Sequence, residues 1–592
     1  MINLLFDIET DGLDATVCHS LVIIDVNSGV KISCADNQQG YFPIDEGLDI
    51  MSQADILTGH NIMGYDLPQL DKLYGFKFTG EIHDTLLMSR LIWSDLKGDD
   101  FKEQKVTGRL IGSHSLKAWG HRLGNYKGDF EYSVEKFAQW SKEMQDYCEQ
   151  DCHLNLQLYK LMLAKKPSPE SIKLEHDFAA IILKQEAQGF NFDEDAAHKL
   201  LSTLQGRHAE LEVELQKAFP PWQVKEPFTP KVNNKTRGYV KGVKTYKVKD
   251  VVFNAASRDH IADRLQKVRG WVPTLYTPSG KPQVDESVLS KLDYPEAELL
   301  NEVMLINKRI GMLATGNNAW LKMVKDGKIH GRVTTNGAAT GRCTHQRPNV
   351  SQTPSINSPY GADCRALFHA PSGYSLVGAD LSGLELRCLA HFMSIFDGGA
   401  YGDVILNGDI HTVNQKAAGL SSRSQSKVFI YAFLYGGGAE RIGSIVGGDA
   451  KAGKKLINKF MQATPAIKLL REAVLNKVKT YGYLKGLDGR KLPIRSPHSA
   501  LNMLLQSAGA LLAKKATVIL YENLTTKGYA FGDDYALVAH VHDEVQLIAR
   551  KDLADDIGRE AVKSFQQAGQ HFNFRMPITG EYKTGRTWAD TH

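Results

Sequence analysis

Two apolar runs in the C-terminal half lead into acids. Residues 374–380 predict a buried strand closing on Asp380, with a glycine-containing turn through Leu381, Ser382 and Gly383 behind it. Residues 535–548 carry His542, Asp543 and Glu544 between apolar flanks and predict a hairpin with acids at its tip. Two such strands can bring Asp380 and Asp543 together around two divalent ions. Between the runs, Arg423, Lys427 and Tyr431 recur at every fourth position and share one face of a predicted helix. Two cations on one face suit a triphosphate, and an aromatic ring one turn on can stack on a base or sugar. A strand-end aspartate or a charged helix face is common for structural reasons alone. It is the three elements together that point to chemistry.

The N-terminal pattern is a second, separate one. Residues 2–8 form a short apolar run, and Asp7 and Glu9, two apart on a strand, point to the same face. His60, Asn61, Tyr65 and Asp66 stand at the start of a predicted helix, and Tyr147 and Asp151 lie one helical turn apart. A polar break with two prolines at 164–170 predicts a domain boundary. Helices are predicted at 171–187, 194–218 and 295–312, with a turn between 186 and 193. Residues 224–250 hold eight Lys or Arg and two acids among Pro, Gly and Asn, and read as a flexible basic loop, either solvated or in contact with DNA.

Charge sharpens this division. The 592 residues carry a net +4, but residues 1–160 hold 14 Lys and Arg against 25 Asp and Glu, a net −11, and the remainder is +15. An acidic front can concentrate cations, while a basic body can follow a phosphate backbone. With 42% apolar and 23% charged residues the chain has a globular composition of several domains. No run of 18 apolar residues predicts a membrane span, and the N-terminus lacks the pattern of a signal peptide. Seven scattered cysteines, an odd number, predict reduced thiols rather than disulfides or a zinc site.

Taken in order, these motifs resemble the family A, or polymerase I-type, DNA polymerases, and among them the compact replicative polymerases of podoviruses. Asp380 to Glu385 is similar to their first palm motif, Arg423, Lys427, Tyr431, Tyr435 and Gly436 to the fingers-helix motif, and His542, Asp543 and Glu544 to the second palm motif. The N-terminal acids resemble the DEDD exonucleases of the tyrosine subtype. The resemblance implies a multidomain α/β chain: an RNase H-like DEDD 3′–5′ exonuclease at 1–165, then a right-hand polymerase with thumb at 166–340, palm at 341–392, fingers at 393–529 and the rest of the palm at 530–592.

The resemblance also implies roles. Asp380, Asp543 and the Leu381 carbonyl would hold two Mg²⁺ ions, with Mn²⁺ able to substitute, and Glu544 would support that site. His411, Arg423 and Lys427 would bind the dNTP phosphates, Lys427 donating a proton to pyrophosphate, while Glu385 and Tyr431 exclude a ribose hydroxyl. Arg342, Asn502, Gln506 and His542 would touch minor-groove acceptors common to every Watson–Crick pair. Asp7, Glu9, Asp66 and Asp151 would hold two further Mg²⁺ ions, with Tyr147 orienting the attacking water and Asp84 a structural support. Implied partners are primer-template DNA, dNTPs, a phage helicase-primase and a single-stranded DNA-binding protein, in the cytoplasm of an infected bacterium and with no membrane. At 219–252 the chain departs from its relatives: a longer insertion there binds host thioredoxin in related podovirus polymerases, and the shortness of this one argues against thioredoxin.

Three rival readings remain at this stage. A DEDD exonuclease without polymerase activity leaves the three downstream motifs idle. An RNA polymerase needs neither a proofreading nuclease nor a blocked ribose pocket. An inert DNA clamp does not need two acid sets.

Overall fold

The computed structural model describes residues 1–125 and 137–592. Its first sheet has the order β3-β2-β1-β4-β5, made of β1 Asn3–Thr10, β2 Cys18–Asp25, β3 Lys31–Cys34, β4 Ile56–Gly59 and β5 Glu81–Asp84. β1 runs antiparallel to β2 and parallel to β4. The period of two divides β1 cleanly. Leu4, Phe6 and Ile8 enter one core, with Leu21, Ile23 and Leu57. Leu5 enters the other, with Val22, Ile24, Cys148, Cys152 and Leu158. Asp7 and Glu9 continue the Leu5 face, so they emerge under the helix that covers it, α2 Lys142–Ala164; α1 Asp66–Tyr74 stands beyond the end of β4.

At the polar stretch 164–170 one helix gives way to another: α2 stops at Ala164 and α3 Pro169–Gln188 begins with Pro169 in its first turn. Adjacent residues of α3 reach in two directions. Glu175 receives Lys514 Nζ at 2.7 Å and Arg490 Nη2 at 2.7 Å, all three buried. His176 accepts the Asp84 N–H at 2.8 Å and its other ring nitrogen bonds the Ile172 carbonyl. A buried ion cluster of this kind is costly unless every charge is matched, and here Asp488 completes the match by bonding Arg490.

The basic segment corrects an expectation. The two ends of the segment read as a flexible loop form a two-stranded ribbon, β6 Trp222–Phe228 and β7 Thr245–Val251, while the stretch between them, with Lys231, Lys235, Arg237, Lys241 and Lys244, remains a connecting loop. Its aromatics anchor cations and each other: Arg264 lies 3.9 Å over Trp222, Lys247 4.7 Å over Phe228, and Tyr239 packs 4.9 Å from Phe228. Lys225, Lys231, Lys235, Arg237, Lys241, Lys244, Lys247 and Lys249 all remain exposed.

The second large sheet has the order β9-β10-β8-β11 and is antiparallel throughout, with β8 Tyr374–Leu381, β9 Tyr535–Val541, β10 Glu544–Arg550 and β11 Gly580–Gly585. Both predicted strands and the hairpin are present. Around the sheet pack α3, α4 Leu384–Asp397, α5 Arg423–Leu434 and α6 Ala500–Thr526 in one continuous core. By length and composition α6 could cross a membrane, but 78% of its apolar stretch is buried inside the protein. Gly378 in β8 lets the C-terminal segment lie on the sheet, since a Cβ there would stand 2.5 Å from the Thr591 carbonyl. Trp588 is 1% exposed and packs on Phe190 and Phe368, so the tail is docked. All seven cysteines are free and buried.

Candidate functional site

β8 and the β9–β10 hairpin build the first site. Asp380 pairs in register with Glu544, and the Leu381 N–H donates to the Asp543 carbonyl at 3.1 Å. His542 takes a left-handed conformation, φ 59°, to turn the hairpin and present Asp543 beside Asp380. Burial, then the neighbouring charges of Asp543 and Glu544, push the Asp380 carboxyl up to about 7. Burial, then Glu385, push Asp543 up to about 6. Two hard carboxylates that repel each other in a partly buried site are a donor set fitted to a hard divalent cation. Glu544 is different. Burial raises its pKa, but bonds from His592 and Trp588, with a further one from Gln546, outweigh this and hold it below its ordinary value. The contacts are 3.1 Å from His592 Nδ1, 2.6 Å from Trp588 Nε1 and 2.6 Å from Gln546 Nε2.

α5 forms the facing wall. Ser422 caps it by accepting the Gln425 N–H, and Phe429, Ile430 and Phe433 bury the inner face. Arg423 and Lys427 are exposed and Tyr431 is half-buried. Arg423 is held by Asp409, Nε to Oδ2 at 2.7 Å and Nη2 to Oδ1 at 3.2 Å. His411 sits 6.5 Å from the Tyr431 ring; burial, Arg423 and Lys427 hold its pKa down. Burial, then Glu385 and Asp543, hold the Tyr431 phenol up, which places that ring next to the acids. Glu385 in turn accepts from the Tyr435 hydroxyl at 2.9 Å and faces Arg342 Nη2 at 3.5 Å. Burial and the charge of Arg342 lower the pKa of His542. Thus Arg342, Glu385, Tyr431, His542 and Asp543 share one electrostatic neighbourhood. Asn502 and Gln506 stand one turn apart on α6, and Asn502 Oδ1 is buried without a protein partner.

The second site lies between β1, α1 and α2. Burial, then Asp66, Cys152, Asp151 and Glu9, raise the Asp7 carboxyl well above its ordinary range. Burial pushes Asp66 up to about 7. Asp151 is buried on α2 with half-buried Tyr147 one turn before it. Asp84 accepts the N–H groups of Asn61, Met63, Leu86 and Leu87 at 2.9–3.3 Å, so it fixes the loop leading to Asp66. The carboxylates suit hard cations here too, and ligand atoms of Asp7, Glu9 and Cys148 lie within 4.8 Å of one another.

Sequence reasoning missed five partners. The every-fourth spacing that marks Arg423, Lys427 and Tyr431 extends to Tyr435 and could have suggested its contact with Glu385, and Cys148, three before Asp151 on one helix, could have suggested its place beside Asp7. Asp409 as the Arg423 partner, and Trp588 and His592 on Glu544, left no signal in spacing.

The family model described as DNA polymerase family A matches residues 230–590. The chain is 38% identical to the DNA-directed DNA polymerase of Escherichia phage T7 over 99% of both chains, and 38% identical to that of Enterobacteria phage T3 over 100% of both. It is 25% identical to the DNA polymerase I of Pseudomonas aeruginosa over 57% of this chain and 39% of that one. Among solved structures, the POL domain of Pol1 from M. smegmatis, in complex with DNA primer-template and dNTP, superposes with TM-score 0.73 at 17% identity, covering 100% of this chain and 96% of that one.

Proposed function

The chain belongs to the family A DNA polymerases and is a replicative DNA-directed DNA polymerase, and on that premise we propose that it carries two metal-dependent sites, one that extends a primer and one that excises its 3′ end. The observation that carries this reading is the pair of separated carboxylate sets, Asp380 with Asp543 and Asp7 with Glu9, Asp66 and Asp151. The β3-β2-β1-β4-β5 order supports an RNase H-like exonuclease at 1–165. We assign the thumb to 166–340, the palm to 341–392 and 530–592, and the fingers to 393–529. Dependence on divalent metal follows from the family; two Mg²⁺ at each site is our assignment.

Asp380, Asp543 and the Leu381 carbonyl would hold Mg²⁺, which would lower the pKa of the primer 3′-OH and neutralise charge on the triphosphate. The chain's own groups do the rest. Arg423 exchanges Asp409 for phosphate oxygens, a trade of one charge-assisted contact for another. Lys427 and His411 grip the same phosphates, and Lys427 gives its proton to the departing pyrophosphate. Glu385, fixed by Tyr435 and Arg342, fills the space a ribose hydroxyl would need. Glu544, locked by Trp588 and His592, holds its strand rather than meeting substrate. Arg342, His542, Asn502 and Gln506 offer polar groups to the minor-groove side of the terminal pair. At the second site Tyr147 orients the water that attacks the terminal phosphodiester.

The test is a 5′-labelled primer with a mispaired 3′ end, given Mg²⁺ alone, then with dNTPs or with rNTPs. Stepwise shortening without nucleotides and extension with dNTPs only are expected. A primer of constant length under Mg²⁺ would remove the excision site, and equal extension with rNTPs would remove the sugar gate.

Two further expectations arise here. A dideoxynucleotide lacks a 3′-OH and leaves neighbouring phosphate or protein groups less well satisfied; the Tyr431 hydroxyl can fill that gap and a phenyl ring cannot. One hydrogen bond to a charged group is worth about 1.5–3 kcal/mol, so Tyr431→Phe is expected to change the kcat/KM ratio of dNTP over ddNTP by roughly 10- to 100-fold towards dNTP. An unchanged ratio in an excision-dead background would make Tyr431 a packing residue. The β6–β7 ribbon presents its cations to solvent, which suits direct phosphate contacts that weaken with salt. Deleting 224–250 is expected to shorten extension products most at low salt and to leave single-nucleotide insertion unchanged. Strong stimulation of the intact chain by thioredoxin would instead make the ribbon a protein-docking element. The helicase-primase, the single-stranded DNA-binding protein and the cytoplasm of an infected bacterium complete the proposed setting.

A further inference from the structure

We propose that Cys148 adds a thiol donor to the Asp7–Glu9 pair, so that the excision site captures a thiophilic divalent cation such as Zn²⁺ or Cd²⁺. This rests on the reading of Asp7, Glu9, Asp66 and Asp151 as the metal-holding set.

The geometry follows from β1 and α2. Asp7 and Glu9 project from the β1 face that α2 covers, and Cys148 and Asp151, three apart, share the α2 face that meets them. Cys148 is fully buried, with Sγ 3.4 Å from the Asp7 carbonyl oxygen and 4.0 Å from Asp7 Oδ2. With a Zn–S bond of about 2.3 Å and a Zn–O bond of about 2.1 Å, a tetrahedral ion separates its sulfur and oxygen ligands by roughly 3.6 Å, so the two share one ion once Sγ and Oδ2 close by about 0.4 Å and the thiol gives up its hydrogen bond to the Asp7 carbonyl. Glu9 falls inside the same 4.8 Å span and supplies a third donor. Cys152, one turn further along α2, points its thiol at the Val22 carbonyl, 3.5 Å away.

The donor sets of the two sites therefore differ in kind. Asp380, Asp543 and the Leu381 carbonyl offer oxygen only, whereas the excision site offers oxygen and sulfur, and a soft donor favours Zn²⁺ or Cd²⁺ over Mg²⁺. Binding forms a sulfur–metal bond and releases the thiol proton to solvent, with no change of oxidation state. An ion held in this way occupies the place of the Mg²⁺ that excision needs. A thiophilic cation at low concentration would then switch off excision while extension continues.

The experiment titrates the metal-free full chain with Cd²⁺ and follows the ultraviolet thiolate-to-cadmium charge-transfer band. In parallel, a mispaired 5′-labelled primer is incubated with Mg²⁺ and increasing Cd²⁺. A band saturating near one equivalent, with loss of excision over the same range, is expected. Cys148→Ser and Cys148→Ala should both lose the band and need at least ~10-fold more Cd²⁺ to block excision. Cys388→Ser, which removes a buried thiol on α4, should keep the band. Excision under Mg²⁺ alone and extension of a matched primer report that the two domains of each variant are folded. A band that persists in both Cys148 variants, or none in the parent chain, overturns the proposal. If the parent chain fails to excise under Mg²⁺ alone, the excision reading falls, and the band still decides whether Cys148 is a ligand.

Discussion

Asp543→Ala is expected to lower primer extension by roughly 10³-fold or more while excision of a mispaired end continues at the parent rate. A bound divalent ion supplies several kcal/mol of charge stabilisation in phosphoryl transfer, and each 1.36 kcal/mol is a factor of ten. On the proposed reading Asp543 shares that ion with Asp380; Glu544 is committed to Trp588, Gln546 and His592, and Glu385 to Tyr435 and Arg342. The Mg²⁺ requirement should also depend on pH. Asp380 and Asp543 are pushed up to about 7 and about 6, so protons compete with the metal in that range. As pH falls from 8 to 6 the two carboxyls protonate, and the Mg²⁺ concentration giving half-maximal extension should rise. A half-maximal concentration that stays flat from pH 8 to 6 would mean these two acids do not hold the ion. Loss of excision in the same variant would mean that the two sites are not separate.

The motifs legible in the sequence share one property: each is local. Asp7 with Glu9, Tyr147 with Asp151, and Arg423 with Lys427 and Tyr431 sit at spacings that a strand or helix converts directly into a shared face. The Asp380 strand and the Asp543 hairpin were legible because apolar runs flank the acids. What the sequence withheld depends on distant chain segments. Glu544 is held by hydrogen bonds from residues 44 and 48 positions away, and Glu175 bonds Arg490 and Lys514, each more than 300 positions away. Those contacts have no period to detect. The pairing at the two ends of 224–250 was missed for a different reason: the Pro, Gly, Asn and Lys content is that of a loop, and the ladder that joins Trp222–Phe228 to Thr245–Val251 is made by backbone groups that composition does not report. Composition describes the solvent-facing side of such a ribbon and says little about its ladder.

Asp7→Ala combined with Glu9→Ala is expected to abolish excision, by roughly 10³-fold or more on the same arithmetic, with extension unchanged. The same variant should be more thermally stable than the parent in the absence of metal, and this separates loss of chemistry from loss of fold. Burial and the charges of Asp66, Cys152, Asp151 and Glu9 raise the Asp7 pKa in the folded state above its unfolded value. A carboxyl raised in this way binds its proton more tightly in the native state, so the stability it contributes is present at low pH and is lost as pH rises through the folded value. At pH 8, without metal, the parent chain therefore holds mutually repelling half-buried acids that the double variant lacks. Its Tm should exceed that of the parent at pH 8, and the gap should narrow at pH 5, where the parent's acids take up protons. Added Mg²⁺ should raise the parent's Tm by more than the variant's, because only the parent keeps the full donor set. A variant that loses excision and also melts lower than the parent at pH 8 would mean that Asp7 and Glu9 hold the sheet together rather than a metal.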